Sequence, residues 1–252
     1  MLTSTQGIVL QATKYSDSSL IVNIFTRKSG SVSFIIKNAF SKKSKQPASF
    51  FAPLSILELI YNETYTEKLT FLKEVSIAHP FHAIQMDIRK NSLLLFYQEL
   101  LRKLLYRANA PDEDLFDFIK EHLLKLEDTP ELTPDFHIVF LIQLIQQLGY
   151  APELNFSLQT PYFSIEDSNF GTVFLETPYY LSKEASFYLF TLLKNNHYAL
   201  PDKKIRMELL NGMILYLMKY HKQIKEIESV AILSEVLCQN IRIKFGANNV
   251  TC

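Results

Sequence analysis

The chain is 252 residues long, 48% hydrophobic and 21% charged, with 26 Lys+Arg against 26 Asp+Glu; that length holds one large domain, or a small one and a medium one. Its two cysteines, Cys238 and Cys252, exclude a disulfide framework and, without a C-x-x-C, a cysteine zinc site. No apolar run reaches the ~20 residues of a membrane span and no signal-peptide core opens the chain, so a soluble protein of the reducing cytoplasm is expected.

The neutral total hides a gradient. Residues 1–79 carry nine basic and five acidic side chains, residues 80–150 seven and eleven, and residues 151–252 ten and ten. The first fifty residues hold Lys14, Arg27, Lys28, Lys37, Lys42, Lys43 and Lys45 against one acid, Asp17. A positive patch on a small β-module is the electrostatic footprint of a nucleic-acid binder.

In chain order, segments 7–15, 19–26 and 31–38 read as strands. Leu20, Val22 and Ile24 share one face, as do Val32, Phe34 and Ile36, at the two-residue period of a strand. Arg27-Lys28-Ser29-Gly30 supplies a glycine where a hairpin needs positive φ. A basic loop over 40–49 follows, then strands over 54–61 and 69–76. Five strands with one long charged loop suit a barrel of the OB type, and an SH3-like barrel satisfies the same count.

His79-Pro80 ends the strands. Segment 83–106 reads as one long helix, apolar on more than one stripe and therefore central. Pro111 with Asp112, Glu113 and Asp114 opens a helix running to about Leu126. Pro134 opens the next and Gly149 closes it. Aromatic and β-branched alternation over 162–180, around Gly171, indicates a hairpin. Ser182 and Asp202 are expected N-caps of helices ending near Lys194 and Tyr220. A short helix over 229–238 and a frayed tail from Ala247 complete the chain. The expected fold class is α+β: a five-stranded barrel over 1–79, then a mainly helical domain over 80–245 with a hairpin insertion at 155–180.

Signatures of catalysis are missing: no G-x-x-x-x-G-K, G-x-G-x-x-G, G-x-S-x-G or H-E-x-x-H occurs. His79 and His82 flank Pro80 and Phe81 and read as junction residues rather than half a metal site. The acids at 112–117 crowd a helix start, where negative charge is favoured anyway. Helical aromatics fall at core spacing. Phe34, Phe40, Phe50 and Phe51 instead lie beside the basic loop, where rings stack on bases while cations follow phosphates; Phe34 shares the inward face of Val32 and Ile36. The candidate nucleic-acid-binding set is therefore Lys14, Arg27, Lys28, Lys37, Phe40, Lys42, Lys43, Lys45 and Phe51, with no catalytic residue, metal or cofactor. The rival reading is a protein-interaction scaffold whose basic barrel binds an acidic partner.

The order of motifs resembles the RecO family of bacterial DNA repair proteins. The likeness runs through Gly7-Ile8-Val9-Leu10, Tyr15-Ser16-Asp17-Ser18-Ser19-Leu20, Phe25-Thr26-Arg27-Lys28-Ser29-Gly30 and Lys37-Asn38-Ala39-Phe40-Ser41-Lys42-Lys43-Ser44. It continues in Phe51-Ala52-Pro53-Leu54, Leu72-Lys73-Glu74-Val75, Tyr97-Gln98-Glu99-Leu100, Leu148-Gly149-Tyr150-Ala151-Pro152-Glu153-Leu154, Tyr216 and Tyr220-His221. The resemblance implies an OB barrel, a helical domain with a small insertion, and activity without catalysis. It implies binding of single- and double-stranded DNA, strand annealing, and placement of RecA with RecR on strands coated by single-strand-binding protein, whose acidic C-terminal tail is recognised. A groove for that tail would be rimmed by Arg102, Lys103 and Arg107, or by Lys203, Lys204 and Arg206.

Two stretches depart from the family pattern. Many relatives carry zinc-binding C-x-x-C pairs after the Leu148–Leu154 motif, whereas this chain continues Asn155-Phe156-Ser157-Leu158-Gln159-Thr160-Pro161. No zinc is therefore expected, and apolar packing should hold the hairpin. Asn38 and Phe40 stand where a glycine and an arginine are usual, which lowers the local charge.

Overall fold

A computed structural model describes residues 2–62, 69–195 and 199–238. Five strands, β1 (Leu2–Lys14), β2 (Leu20–Thr26), β3 (Gly30–Ile36), β4 (Ile56–Asn62) and β5 (Thr70–His79), close into a barrel in the order β1-β2-β3-β5-β4. β1 pairs antiparallel with both β2 and β4, and a short parallel contact, Phe34 with Thr70 and Ile35 with Phe71, shuts the ring between β3 and β5. This is the five-stranded Greek-key closure of an OB barrel, and it settles the choice that strand counting left open.

β1 starts five residues before the strand expected from the sequence. Its first turns are polar, Thr3-Ser4-Thr5-Gln6, and carry no apolar alternation; pairing with β4 from Leu2↔Asn62 to Ile8↔Ile56 makes them a strand. To serve two neighbours β1 must bend, and its register shifts between Val9 and Gln11. Gly7 sits just before that shift, paired to both neighbours, where a Cβ would lie 2.5 Å from Ile24 and 2.6 Å from Leu59.

Alternation fails in Ile8-Val9-Leu10, Ile24-Phe25 and Ile56-Leu57 because these strands are buried on both faces. Val9, Ile24 and Leu57 point into the barrel with Val22, Phe34, Ile36, Phe51 and Tyr61. Ile8, Leu10, Phe25 and Ile56 point outward into the core of the helical body. β5 ends at His79, the expected boundary between modules, and the apolar core passes across that point.

The helices are α1 (Ala83–Met86), α2 (Ile88–Leu105), α3 (Glu113–Asp128), α4 (Phe136–Gln147), α5 (Lys183–Asn195), α6 (Lys203–Tyr220) and α7 (Ser229–Cys238). The single helix expected over 83–106 is broken at Asp87, whose backbone is extended (φ −107°, ψ 117°) and whose carboxylate accepts from the Arg89 N–H at 2.8 Å as the cap of α2. The Glu127 carboxylate at the end of α3 accepts from the backbone N–H groups of His82, Ala83 and Ile84 at 2.7, 2.7 and 2.9 Å, satisfying the start of α1. Asp112, Ser182 and Asp202 accept from the N–H groups of Leu115, Ala185 and Ile205 and so act as the N-caps of α3, α5 and α6. The hairpin is shorter than expected: β6 (Tyr162–Ser164) and β7 (Asn169–Gly171) turn through Ser168 at φ 61°, and Gly171 ends the second strand. The expected frayed tail and residues 239–245 of the helical domain lie outside the described residues.

Candidate nucleic-acid interface

One end of the barrel gathers the 14–19 loop between β1 and β2 with the long 37–55 connection between β3 and β4. The Ala39 N–H donates to the Ser18 carbonyl at 2.8 Å, tying the two loops together. Asn38 turns the chain at φ 55°, a left-handed conformation that asparagine tolerates almost as glycine does, so the turn does not need the glycine that the resemblance would put there. The Gln46 side-chain amide donates to the Leu72 carbonyl at 3.1 Å and pins the far side of the loop onto β5. Held this way, Lys14, Lys37, Lys42, Lys43 and Lys45 are all exposed at one end, with Lys73 on the adjoining strand. Segments 14–19 and 37–48 contain a single carboxylate, Asp17, 3.5 Å from Lys14 in an ion pair exposed on both sides, a geometry that holds a lysine only weakly.

Arg27 and Lys28 do not join this group. They occupy the β2–β3 hairpin, six residue steps along β2 from its start, or about 20 Å at strand rise. Arg27 makes a bidentate pair with Asp117 of α3 at 2.9 and 2.8 Å and a further ion pair with Glu113. Its hydrogen bond to Asp117 holds that carboxyl below the usual carboxylate range. Lys28 donates to the Ser4 carbonyl at 2.9 Å. The hairpin is seated on the helical body: the Ser31 N–H donates to the Ala108 carbonyl at 2.7 Å, and a Cβ on Gly30 (φ 65°) would run into the carbonyls of Ala108 and Ala110. Arg27 therefore serves the junction between barrel and helices, while Lys28, exposed at the hairpin tip, bonds to β1 within the barrel. Phe51 also leaves the candidate set: at 2% exposure it lies in the barrel core on the 3-10 turn Ala48–Phe51, out of reach of a base.

Phe40 remains, 50% exposed, and two rings that sequence patterning did not single out stand at the same end: Tyr15 (63% exposed) and Phe71 (55% exposed). Phe71 faces outward because its neighbours Thr70 and Leu72 are the buried ones. The alternation of β5 contained this signal, but nothing local to Phe71 placed it beside the basic loop. Lys37 Nζ lies 5.0 Å from the Phe71 ring centroid and Lys14 Nζ 5.9 Å from that of Phe40.

The insertion does not fit zinc. Where the resemblance puts cysteines, Phe156 stacks on Phe190 at 5.3 Å and meets Phe170 edge-on at 5.6 Å. Asn155 closes the hairpin with its amide, donating to the Phe170 carbonyl at 3.0 Å and accepting from the Phe170 N–H at 2.9 Å. Among the described residues no group of three or more His, Cys, Asp or Glu side chains is gathered as a metal site, and no helix is long and apolar enough to cross a membrane.

Comparison with known proteins agrees with this architecture. Residues 1–81 match the family described as Recombination protein O N terminal, and residues 85–166 match Recombination protein O C terminal. The chain is similar to the DNA repair protein RecO of Flavobacterium psychrophilum, 33% identical over 172 residues, 68% of this chain and 71% of that protein. It is 33% identical to RecO of Bacteroides fragilis over 173 residues, 69% of this chain and 71% of the relative. With RecO of Christiangramia forsetii it shares 27% identity over 241 residues, 94% and 99% of the two chains. An OB barrel docked on a helical body, matched in both halves and across nearly its whole length, makes this chain a member of the RecO family of DNA repair and recombination proteins.

Proposed function

We propose that this protein serves DNA repair and recombination without catalysis, by binding single- and double-stranded DNA along the lysine end of the barrel and annealing complementary strands there. The observation that carries this reading is the gathering of Lys14, Lys37, Lys42, Lys43 and Lys45 around two tethered loops with one acid among them. Phosphates brought onto such a surface release counterions, and two strands on one neutralised surface repel each other less. Five phosphate contacts correspond to a log–log salt slope of about −3.5 on single strands. Lys42/Lys43/Lys45→Ala, followed by fluorescence anisotropy of labelled oligo-dT, should weaken binding and bring the slope to about −1.4, with slower annealing of complementary strands. Unchanged affinity and slope would move the site elsewhere.

Within this role the family resemblance supplies the partners: RecR, joint placement of RecA, and the acidic tail of single-strand-binding protein in a groove of the helical domain. Of the two proposed rims, Lys103 is already engaged by Glu99 at 2.6 Å and by the Glu226 carbonyl at 2.7 Å. Lys203 and Lys204 stand exposed on the first turn of α6, which favours the Lys203, Lys204 and Arg206 side.

A further inference from the structure

Phe40 and Phe71 are each more or about half exposed on the barrel end that carries the lysines, although a phenyl ring left in water forfeits the gain of burial. Neither ring is bare of company: Lys14 sits over one and Lys37 over the other, at 5.9 and 5.0 Å from their centroids, within the range of cation–π attraction. Each pair puts an apolar face and a positive charge side by side, the two chemistries a nucleotide presents as base and phosphate. The backbone fixes both. Phe71 is held by the β3–β5 closure opposite Ile35, and Phe40 by Asn38 and by the Ala39 bonds to Ser18 and Ala48. Tyr15, on the loop tied to Ala39 through Ser18, adds a third exposed ring at this end.

We infer that Phe40 and Phe71, each with its lysine, form a stacking platform that makes this barrel end prefer unpaired strands to duplex, with Phe71 a specificity-determining residue. The inference rests on the DNA-binding reading above. In a duplex the base faces are covered by their neighbours, so only the lysines gain; in a single strand the bases turn out and stack on the rings. Losing both rings removes the stacking without changing the number of phosphates neutralised.

The test compares oligo-dT with a duplex of the same length, by anisotropy over a salt series, for the native protein, Phe40→Ala/Phe71→Ala and Lys42/Lys43/Lys45→Ala. Both rings are surface groups outside the barrel core, and thermal melting checks that the ring variant folds. The ring variant should lose about tenfold or more in oligo-dT affinity, keep its duplex affinity, and keep the native salt slope; the lysine variant should lose both ligands together. An equal loss on both ligands, or no loss on oligo-dT, overturns the platform and leaves the rings to a protein contact. A native protein that binds neither ligand overturns the DNA-binding reading itself, a different result. A second readout uses the absence of tryptophan from the chain: Phe71→Trp places the protein's one tryptophan at the site, excited selectively over the tyrosines. Oligo-dT should quench it while inorganic polyphosphate, which offers charge without bases, leaves it unquenched; equal responses to both overturn stacking.

Discussion

Glu99 on α2 holds the start of α7. Its carboxylate accepts from Lys103 Nζ at 2.6 Å, from the Ser229 hydroxyl at 2.6 Å, and from the backbone N–H groups of Ser229 and Glu228 at 2.8 and 3.0 Å. Burial pushes its pKa up, but these donors outweigh burial and bring it from 4.5 down to about 2. A carboxyl with a depressed folded-state pKa contributes stability above its unfolded value and loses it as pH falls toward the folded one. Melting temperature should therefore drop between pH 4.5 and about 2, and Glu99→Gln should flatten that part of the profile. Arg27 gives the second residue-scale prediction. Arg27→Ala should lower the melting temperature and leave the salt slope of DNA binding unchanged, because the guanidinium is spent on Asp117 and Glu113; Arg27→Lys should restore it only in part, lacking the planar fork. In the sequence Arg27 looks like its neighbours Lys28 and Lys37. What separates it is a carboxylate 90 positions away, which no local pattern contains. Phe40 and Phe51 were alike in the same sense, both aromatic beside lysines, until the 3-10 turn sent one inward.

Elements with a clear face or a strong start signal were legible: β2 and β3 lie where the alternating faces of Leu20, Val22 and Ile24 and of Val32, Phe34 and Ile36 put them, β4 where an apolar run does, and α3, α5 and α6 start where Pro111 with its acids, Ser182 and Asp202 put them. The departures have physical causes. The opening of β1 is polar and owes its strand character to β4. The break at Asp87 is invisible in a continuous apolar pattern, since it depends on Glu127 reaching back to cap α1. The hairpin turn moved off Gly171 because Ser168 takes the left-handed position, with its side chain bonded to Tyr220 at 2.8 Å and Lys219 at 2.7 Å. At this scale Asn155→Ala should remove both amide bonds to Phe170 and cost about 1–2 kcal/mol locally. Hydrogen exchange at the Phe170 amide should quicken while the global melting temperature moves little, since the Phe156, Phe170 and Phe190 packing remains.

Across the whole molecule the strands β1, β2 and β4 are lined on both sides, by the barrel interior on one and by the helical core on the other. Phe25 lies 6.0 Å from Phe116 of α3 between ring centroids, and Phe25→Ala should cost about 3–5 kcal/mol as a large-to-small change in a packed core. That loss should fall on barrel and helices together: far-UV circular dichroism of the helices and amide exchange of Ile8 and Val9 should report one midpoint in denaturant, and two separated midpoints would contradict the shared wall. The architecture of a barrel beside helices was readable from the switch of period near residue 80; the wall they hold in common was not, because a doubly buried strand reads as a plain apolar run.

That common wall limits how such a chain is rearranged. Grafting a foreign barrel at the linker after β5 would set new side chains at positions 8, 10, 25 and 56 against helices shaped for the old ones. A viable chimera therefore has to carry the facing surfaces of α2 and α3 along with the graft, so the inherited unit is larger than the module that contacts the ligand.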